Sequence, residues 1–85
     1  MNVARASLDT ITVGVGSRVR FRDESDEVEQ VVIVADEDAD FASGRISSGS
    51  PIARALLGHA VGDPVRAWTP GGMRQLRIIS VEPGR

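Results

Sequence analysis

The chain has 85 residues, no cysteine and a formal net charge of −2. This length predicts one small domain, and such a domain buries only about 60% of the surface that its unfolded chain exposes. The lack of cysteine excludes a disulfide framework and a cysteine-based metal site. No apolar run approaches the roughly 20 residues that span a bilayer, and the N-terminus lacks the apolar region of a signal peptide. We therefore expect a cytoplasmic protein.

The distribution of charge disfavours nucleic acid as the main partner. The basic residues are all arginines, while the acids cluster at 23–29 and 36–40. Binding to phosphates requires a concentrated basic surface. Arg18, Arg20 and Arg22 alternate along a predicted strand and would form a small basic stripe, but the neighbouring acids offset much of its charge. We expect no sequence-specific binding of nucleic acid.

Three strands are predicted in the first half of the chain. Residues 17–23 alternate, with Val19 and Phe21 on one face and arginines on the other, which is typical of a half-buried strand. Residues 28–35 are β-branched and almost continuously apolar, which indicates a central strand or one buried on both faces. Residues 44–47 are predicted to form a brief strand.

A short helix follows. Ser50 is a favourable N-cap, Pro51 suits the first helical position, and Gly58 suits the left-handed conformation that ends a helix. Apart from Arg54, residues 52–57 are apolar, which exceeds what a single buried stripe requires. The helix either sinks deeply into a curled sheet, or its N-terminal part also contacts another protein.

The remaining chain predicts a hairpin. Residues 62–69 and 73–82 are predicted strands, joined by a tight turn at 70–72. Four or five strands and one short helix make an α+β fold, in which an antiparallel sheet curls over the helix.

No catalytic residue, metal ligand or cofactor is predicted. The acids at 36–40 lack the ligand spacing and the glycine of a calcium loop, so we interpret them as a solvated turn. His59 follows the helix, where it is expected at the surface or beside the helix C-terminus. For Trp68, we favour packing in the core or at the sheet edge over a role as an exposed anchor.

Three linked segments resemble the C-terminal domain of bacterial Gre-type transcript cleavage factors (GreA/GreB). They are ISSGSPIARALLG at 46–58, AVGDPVRAWTPGG at 60–72 and MRQLRIISVE at 73–82. The family pattern runs I-S-x-x-S-P-I-A/G-R-A-L-x-G, then V-G-D, then T-P-G-G and an alternating final strand. Upstream, GSRVRFRD and VVIVADEDAD are similar to the family's two preceding strands.

The resemblance implies an FKBP-like fold, a curled antiparallel sheet that holds a short helix. It also implies a module that binds bacterial RNA polymerase near the rim of its secondary channel, and not an enzyme. Carried onto this chain, Gly49, Ser50 and Pro51 form the docking loop, and Arg54 flanks it as the single charge of the helix. No cofactor and no membrane are implied. Structural roles are implied for Gly58, Gly62, Pro70, Gly71 and Gly72.

Gre factors also carry an N-terminal coiled coil with an acidic tip, which reaches down the channel while the polymerase itself cuts backtracked RNA. Only about a dozen residues precede the globular part here. We therefore expect residues 1–13 to be a tail or the remnant of a missing coiled-coil region, and residues 14–85 to be the C-terminal domain. The chain alone is not expected to act on transcript cleavage.

Two alternatives stay open. Regulators of nucleoside diphosphate kinase contain the same domain and lack a long coiled coil. An FKBP-type prolyl isomerase has the same fold, but fold does not imply function. Such an enzyme cradles proline among several aromatic side chains, and this chain has only Phe21, Phe41 and Trp68.

Overall fold

The computed structural model describes residues 11–84. Its strands are β1 (Arg18–Asp23), β2 (Val28–Val34), β3 (Arg45–Ser47), β4 (Pro64–Thr69) and β5 (Gly72–Glu82). One helix, α1 (Pro51–Leu56), lies between β3 and β4 in the chain, and two 3-10 turns, η1 (Asp36–Asp38) and η2 (Phe41–Ser43), lie between β2 and β3. The strands form one sheet in the order β3-β2-β1-β5-β4. The predicted α+β fold class is confirmed.

One strand pair departs from the antiparallel expectation. β2 and β3 run parallel, while the other neighbouring strands pair antiparallel, so the sheet is mixed. The cause is the connection between them, because η1 and η2 carry the chain back along β2 before β3 begins. Between β1 and β5 the register shifts at Arg20 and Phe21, which leaves Ile79 without an opposite residue. Such a bulge increases the local twist.

Strand alternation builds the core on the side of the sheet that packs against α1, which we call the helix side. Val19 and Phe21 of β1 point to this side, and Leu76 and Ile78 of β5 lie beside them. The opposite surface is the outer face. The buried apolar residues are Val13, Val19, Phe21, Ile33, Ile46, Ala53, Leu56, Val65, Ala67, Leu76 and Ile78.

The helix begins and ends as its sequence predicts. Ser50 Oγ accepts a hydrogen bond from the Ala53 N–H at 3.3 Å, and a proline occupies the first turn. Gly58 adopts a φ of +85°, a left-handed conformation that glycine adopts without steric cost. Ala53 and Leu56 are fully buried, and Ile52 and Ala55 pack against the core around them. The deeply sunk position predicted for this helix is therefore present.

Trp68 does not pack as expected. Its side chain is 74% exposed, so the prediction of packing in the core is wrong, although Trp68 does lie at the sheet edge because β4 is an edge strand. The alternation of side chains along β4 explains the difference. Val65 and Ala67 of β4 are buried on the helix side, and Trp68 therefore points to the outer face together with Arg66.

The chain before β1 is only partly described. The sequence gives residues 3–9 weak helical character and indicates a possible first short strand at 10–14, but residues 1–10 lie outside the described residues. Within the described part, Thr12 forms an isolated bridge with Ala60, and Val13 is 3% exposed in the core. The boundary at residue 14 stays a prediction. No helix among residues 11–84 has the length and apolar content required to cross a membrane.

Candidate functional site

The segment that joins the end of β3 to the start of α1, residues 47–51, is held by hydrogen bonds at almost every position. The Ser48 N–H donates to Val34 O at 2.8 Å, and the Ser50 N–H donates to Ser47 O at 2.9 Å. The Ser50 carbonyl accepts the Arg54 N–H at 2.9 Å and so starts the helix. The loop that leads into α1 is therefore ordered by its own backbone.

A side chain from outside the loop braces it as well. Ser47 Oγ donates to the carboxylate of Asp36 in η1 and accepts the Gly49 N–H at 3.0 Å. Asp36 was interpreted from sequence as part of a solvated acidic turn. It is exposed, but it also positions the loop. No local signal identifies this role, because the two residues meet only through the parallel pairing of β2 with β3.

A groove of about 390 Å³ opens beside the start of α1. It lies between α1, β3 and the β4–β5 turn. Its apolar lining includes Phe41 of η2, Ile46 of β3, Ile52 of α1 and Pro70 of the turn. Phe41 is 88% exposed, although phenylalanine is usually buried. An open apolar surface of this kind is typical of a protein interaction site.

The four residues expected at the docking surface lie together at the helix start, with different surroundings. Ser50 and Pro51 line the groove. Gly49 is exposed one residue earlier, and a Cβ there would make only ordinary contacts with Ser47 and Asp36. Arg54 is exposed on the helix outside the groove lining.

Sequence reasoning missed a charged cluster on the helix side. Arg74 lines the groove and donates to Glu29 Oε2 at 2.8 Å and to Asp23 Oδ2 at 3.4 Å. The hydrogen bond to Glu29 raises the pKa of the Arg74 guanidinium above its usual value, and the charge of Asp23 adds to this effect. The available signal was the alternation of side chains in a strand, because Arg74 lies on the same face of β5 as the buried Leu76 and Ile78.

His59 lies beyond the end of α1 and not in the groove. Its Nδ1 is 3.0 Å from Asp63 Oδ2, and both side chains are a little less than half exposed. The Ala60 N–H, and then His59, lowers the pKa of the Asp63 carboxyl. Among residues 11–84, no three histidine or acidic side chains are grouped closely enough to hold a metal ion. This pair closes the turn before β4.

The comparisons with known proteins agree with this architecture. The family model described as "Transcription elongation factor, GreA/GreB, C-term" matches residues 8–83. The chain belongs to the GreA/GreB C-terminal domain family. The predicted resemblance is thereby confirmed over most of the chain.

Relatives of this GreA/GreB domain are transcription elongation factors. GreA of Mesorhizobium japonicum is 40% identical over 94% of this chain and 55% of its own length. GreA of Sinorhizobium medicae is 47% identical over 81% of this chain and 44% of its own length. The chain thus spans about half the length of these curated relatives.

Solved structures of Gre-type proteins share the fold. GreA factor homolog 1 of Thermus thermophilus aligns with a TM-score of 0.76 and 35% identity, over 88% of this chain and 51% of its own. The elongation factor GreA/GreB of Nitrosomonas europaea aligns with a TM-score of 0.72 and 35% identity, over 92% of this chain and 66% of its own.

Proposed function

We propose that this GreA/GreB-type domain is a binding module for bacterial RNA polymerase, and that it performs no chemistry itself. The relatives are elongation factors by name, and a factor that acts on elongation has the polymerase as its natural partner. The observation that carries the proposal is the exposed apolar groove at the start of α1. The rim of the secondary channel is the part of the polymerase that the family resemblance favours.

The docking surface that we propose comprises Gly49, Ser50, Pro51 and Arg54. Its support is structural order combined with exposure. The loop is fixed by backbone hydrogen bonds and by Asp36, so little conformational entropy is lost when a partner binds. Interfaces of this kind place apolar groups at the centre and charged groups at the rim. Here Pro51 provides an apolar centre, and Arg54 provides a charged rim.

The aromatic residues disfavour the prolyl isomerase alternative. Only Phe41 lines the groove, whereas Phe21 is 1% exposed in the core and Trp68 is on the outer face. The three aromatic residues of the chain thus occupy three separate surroundings. A cradle of several aromatic side chains is not formed around the groove.

Ser50→Asp tests the docking surface with little cost to the fold. Aspartate caps a helix as well as serine does, so the free energy of unfolding should stay within about 0.5 kcal/mol of wild type. A charge that becomes buried and unpaired in the interface costs about 2 kcal/mol, which is roughly a 30-fold loss of polymerase affinity. Arg54→Glu should also weaken binding, with no change in the core.

Ser25→Asp is the matched control, because it adds the same charge in the exposed β1–β2 turn. Thermal melts and competition with an intact GreA for core polymerase provide the two readouts. Ser50→Ala is less informative because it removes the cap and the contact together. If Ser50→Asp and Arg54→Glu both melt and bind like wild type, the helix start is only a structural cap and the site is assigned wrongly.

A further inference from the structure

The outer face of the sheet concentrates positive charge in a chain that is negative overall. On the neighbouring strands β1, β5 and β4, side chains alternate between the core and this face. The charged residues on the outer face of these strands are Arg18, Arg20, Arg22, Arg66, Arg77 and Glu82. Five arginines and one glutamate give this surface a formal charge of +4, whereas the whole chain carries −2.

Within the part of the chain that the structure describes, several of these arginines have no carboxylate partner. Glu82 accepts from Arg18 at 3.1 Å, so that pair is neutral. Within residues 11–84, Arg20, Arg22 and Arg66 form no ion pair. Their charges are therefore available to an anionic ligand.

The strand register brings two arginines face to face. Arg22 lies directly opposite Arg77 in the β1–β5 pairing. Arg77 donates to the carbonyl of Gly62 at 2.9 Å, and this bond leaves its charge uncompensated. Like charges directly across a strand pair destabilise a sheet. A bound anion between them would relieve this repulsion.

These arginines line a depression of about 500 Å³. Arg22, Arg66 and Arg77 lie along it, and Pro64 provides an apolar patch. The lining also includes three acidic residues, Asp23, Glu24 and Asp26. Asp23 is paired with Arg74 on the helix side, and the other two lie in the β1–β2 turn, so an anion is limited to the arginine side of the depression. From the depression, the outer face continues along β4 to Trp68, which lies two residues beyond Arg66 on the same face.

Trp68 indicates which polyanion fits. Its indole is 74% exposed on β4, which is an edge strand and therefore open from the side. Nucleic-acid single strands bind to surfaces that combine cationic side chains for phosphates with exposed aromatic rings for base stacking. A duplex keeps its bases inside, and an acidic peptide has no base to stack on the indole.

We propose that the outer face of the sheet binds single-stranded nucleic acid without sequence preference. Arg22, Arg66 and Arg77 contact the phosphates, and a base stacks on Trp68. The groove beside α1 opens on the helix side, so polymerase and a nucleic-acid strand can occupy the domain together. The charge separation that carries this proposal arises from the fold, because in the sequence the acidic segment 23–29 follows the arginine stripe directly.

Fluorescence anisotropy with short labelled oligo(U) and oligo(dT) tests the proposal on the full chain. Three phosphate contacts predict that log K falls with log salt with a slope of about −2. Trp68 is the single tryptophan, so quenching of its emission reports stacking directly. Binding of either strand supports the proposal, and the tighter of the two identifies the type of nucleic acid.

Matched variants separate this face from the groove. Trp68→Ala should weaken binding at least about fivefold, while Phe41→Ala, at the other exposed aromatic residue, should leave oligonucleotide affinity unchanged. Arg66→Ala should reduce the salt slope by about 0.7, and Arg54→Ala, which removes the same charge on the helix, should not. Glu24→Gln should tighten binding, because it removes a border charge and keeps an acceptor for the Gln75 N–H.

Three results would overturn the proposal. One is the absence of saturable, salt-dependent binding to either single strand at low ionic strength. Another is equal loss of affinity in Trp68→Ala and Phe41→Ala, with melts that match wild type. The third is tighter binding of a duplex or of polyglutamate than of both single strands, which would assign the face to duplex or to an acidic protein segment instead.

Discussion

The two sides of this sheet differ in how their exposed residues are held. On the helix side, the loop that leads into α1 is fixed by backbone hydrogen bonds and by Asp36, and even Arg74 is paired with two carboxylates. On the outer face, Arg20, Arg22 and Arg66 make no ion pair with any described residue. The first surface is therefore shaped by specific side-chain and loop contacts, and the second by strand alternation together with the pairing of β1, β5 and β4. Substitutions should change shape on the first side and charge on the second.

Leu56→Ala should have the largest effect and abolish the difference between the two sides. Leu56 is fully buried where α1 meets the sheet. Truncation of such a leucine costs about 2–5 kcal/mol, and a domain of this size has a total stability of only about 5–15 kcal/mol. Urea unfolding should show this loss, and polymerase and oligonucleotide binding should fall together near the melting temperature.

Leu57→Ala serves as the comparison. Leu57 is only partly buried against the core, so its truncation should lower the free energy of unfolding less. A loss below about 1 kcal/mol for Leu56→Ala would mean that the helix is not anchored by this contact. Retained oligonucleotide binding under conditions where polymerase binding has disappeared would mean that the outer face folds without the helix.

Asp36→Ala should have an intermediate effect that is confined to the helix side. It removes the acceptor for the Ser47 hydroxyl, which in turn holds the Gly49 N–H. A hydrogen bond of this kind contributes about 0.5–1.5 kcal/mol, so polymerase affinity should fall roughly 2- to 12-fold. Oligonucleotide binding should not weaken. Surface plasmon resonance with immobilised polymerase measures the first quantity.

Asp38→Ala is the matched control, since Asp38 lies in the same 3-10 turn and contributes only its backbone carbonyl to Arg45. Asp36→Asn keeps an acceptor and should restore much of the affinity. Equal polymerase binding by Asp36→Ala and Asp38→Ala would contradict the role of Asp36 in positioning the loop.

Arg22→Thr should have the smallest effect on stability, and in the opposite direction. It removes the like-charge contact with Arg77 and introduces a residue that favours strands. We expect the free energy of unfolding to stay equal or to rise by up to about 0.5 kcal/mol. Urea unfolding measures the change, and the salt slope of oligonucleotide binding should fall by about 0.7.

Arg20→Thr is the comparison, because Arg20 lies opposite Gln30 and Ser80 and meets no like charge across the sheet. The gain from Arg22→Thr should also disappear in an Arg77→Thr background. Destabilisation by more than about 0.5 kcal/mol would show that Arg22 makes a stabilising contact in the sheet, and would remove the reason to regard its charge as available.

The sequence by itself determined the local elements. Ser50, Pro51 and Gly58 specified the start and end of α1, because caps act within a few residues of the chain. The alternation around Val19 and Phe21 specified β1 and its buried face, since side chains in a strand alternate with a period of two. Linked motifs identified the family, and the family resemblance implied the fold class.

Only the tertiary structure decided which residues that are distant in the chain become neighbours. The parallel pairing of β2 with β3, the contact of Asp36 with Ser47 and the pairing of Arg74 with Glu29 join residues that are distant in the chain. Trp68 shows the same limit, because its residue type favours burial, whereas the alternation of side chains along β4 places it on the outer face. The basic outer face likewise exists only once β1, β5 and β4 are neighbours. Strand order and register are set by packing of the whole core, and no local pattern encodes them.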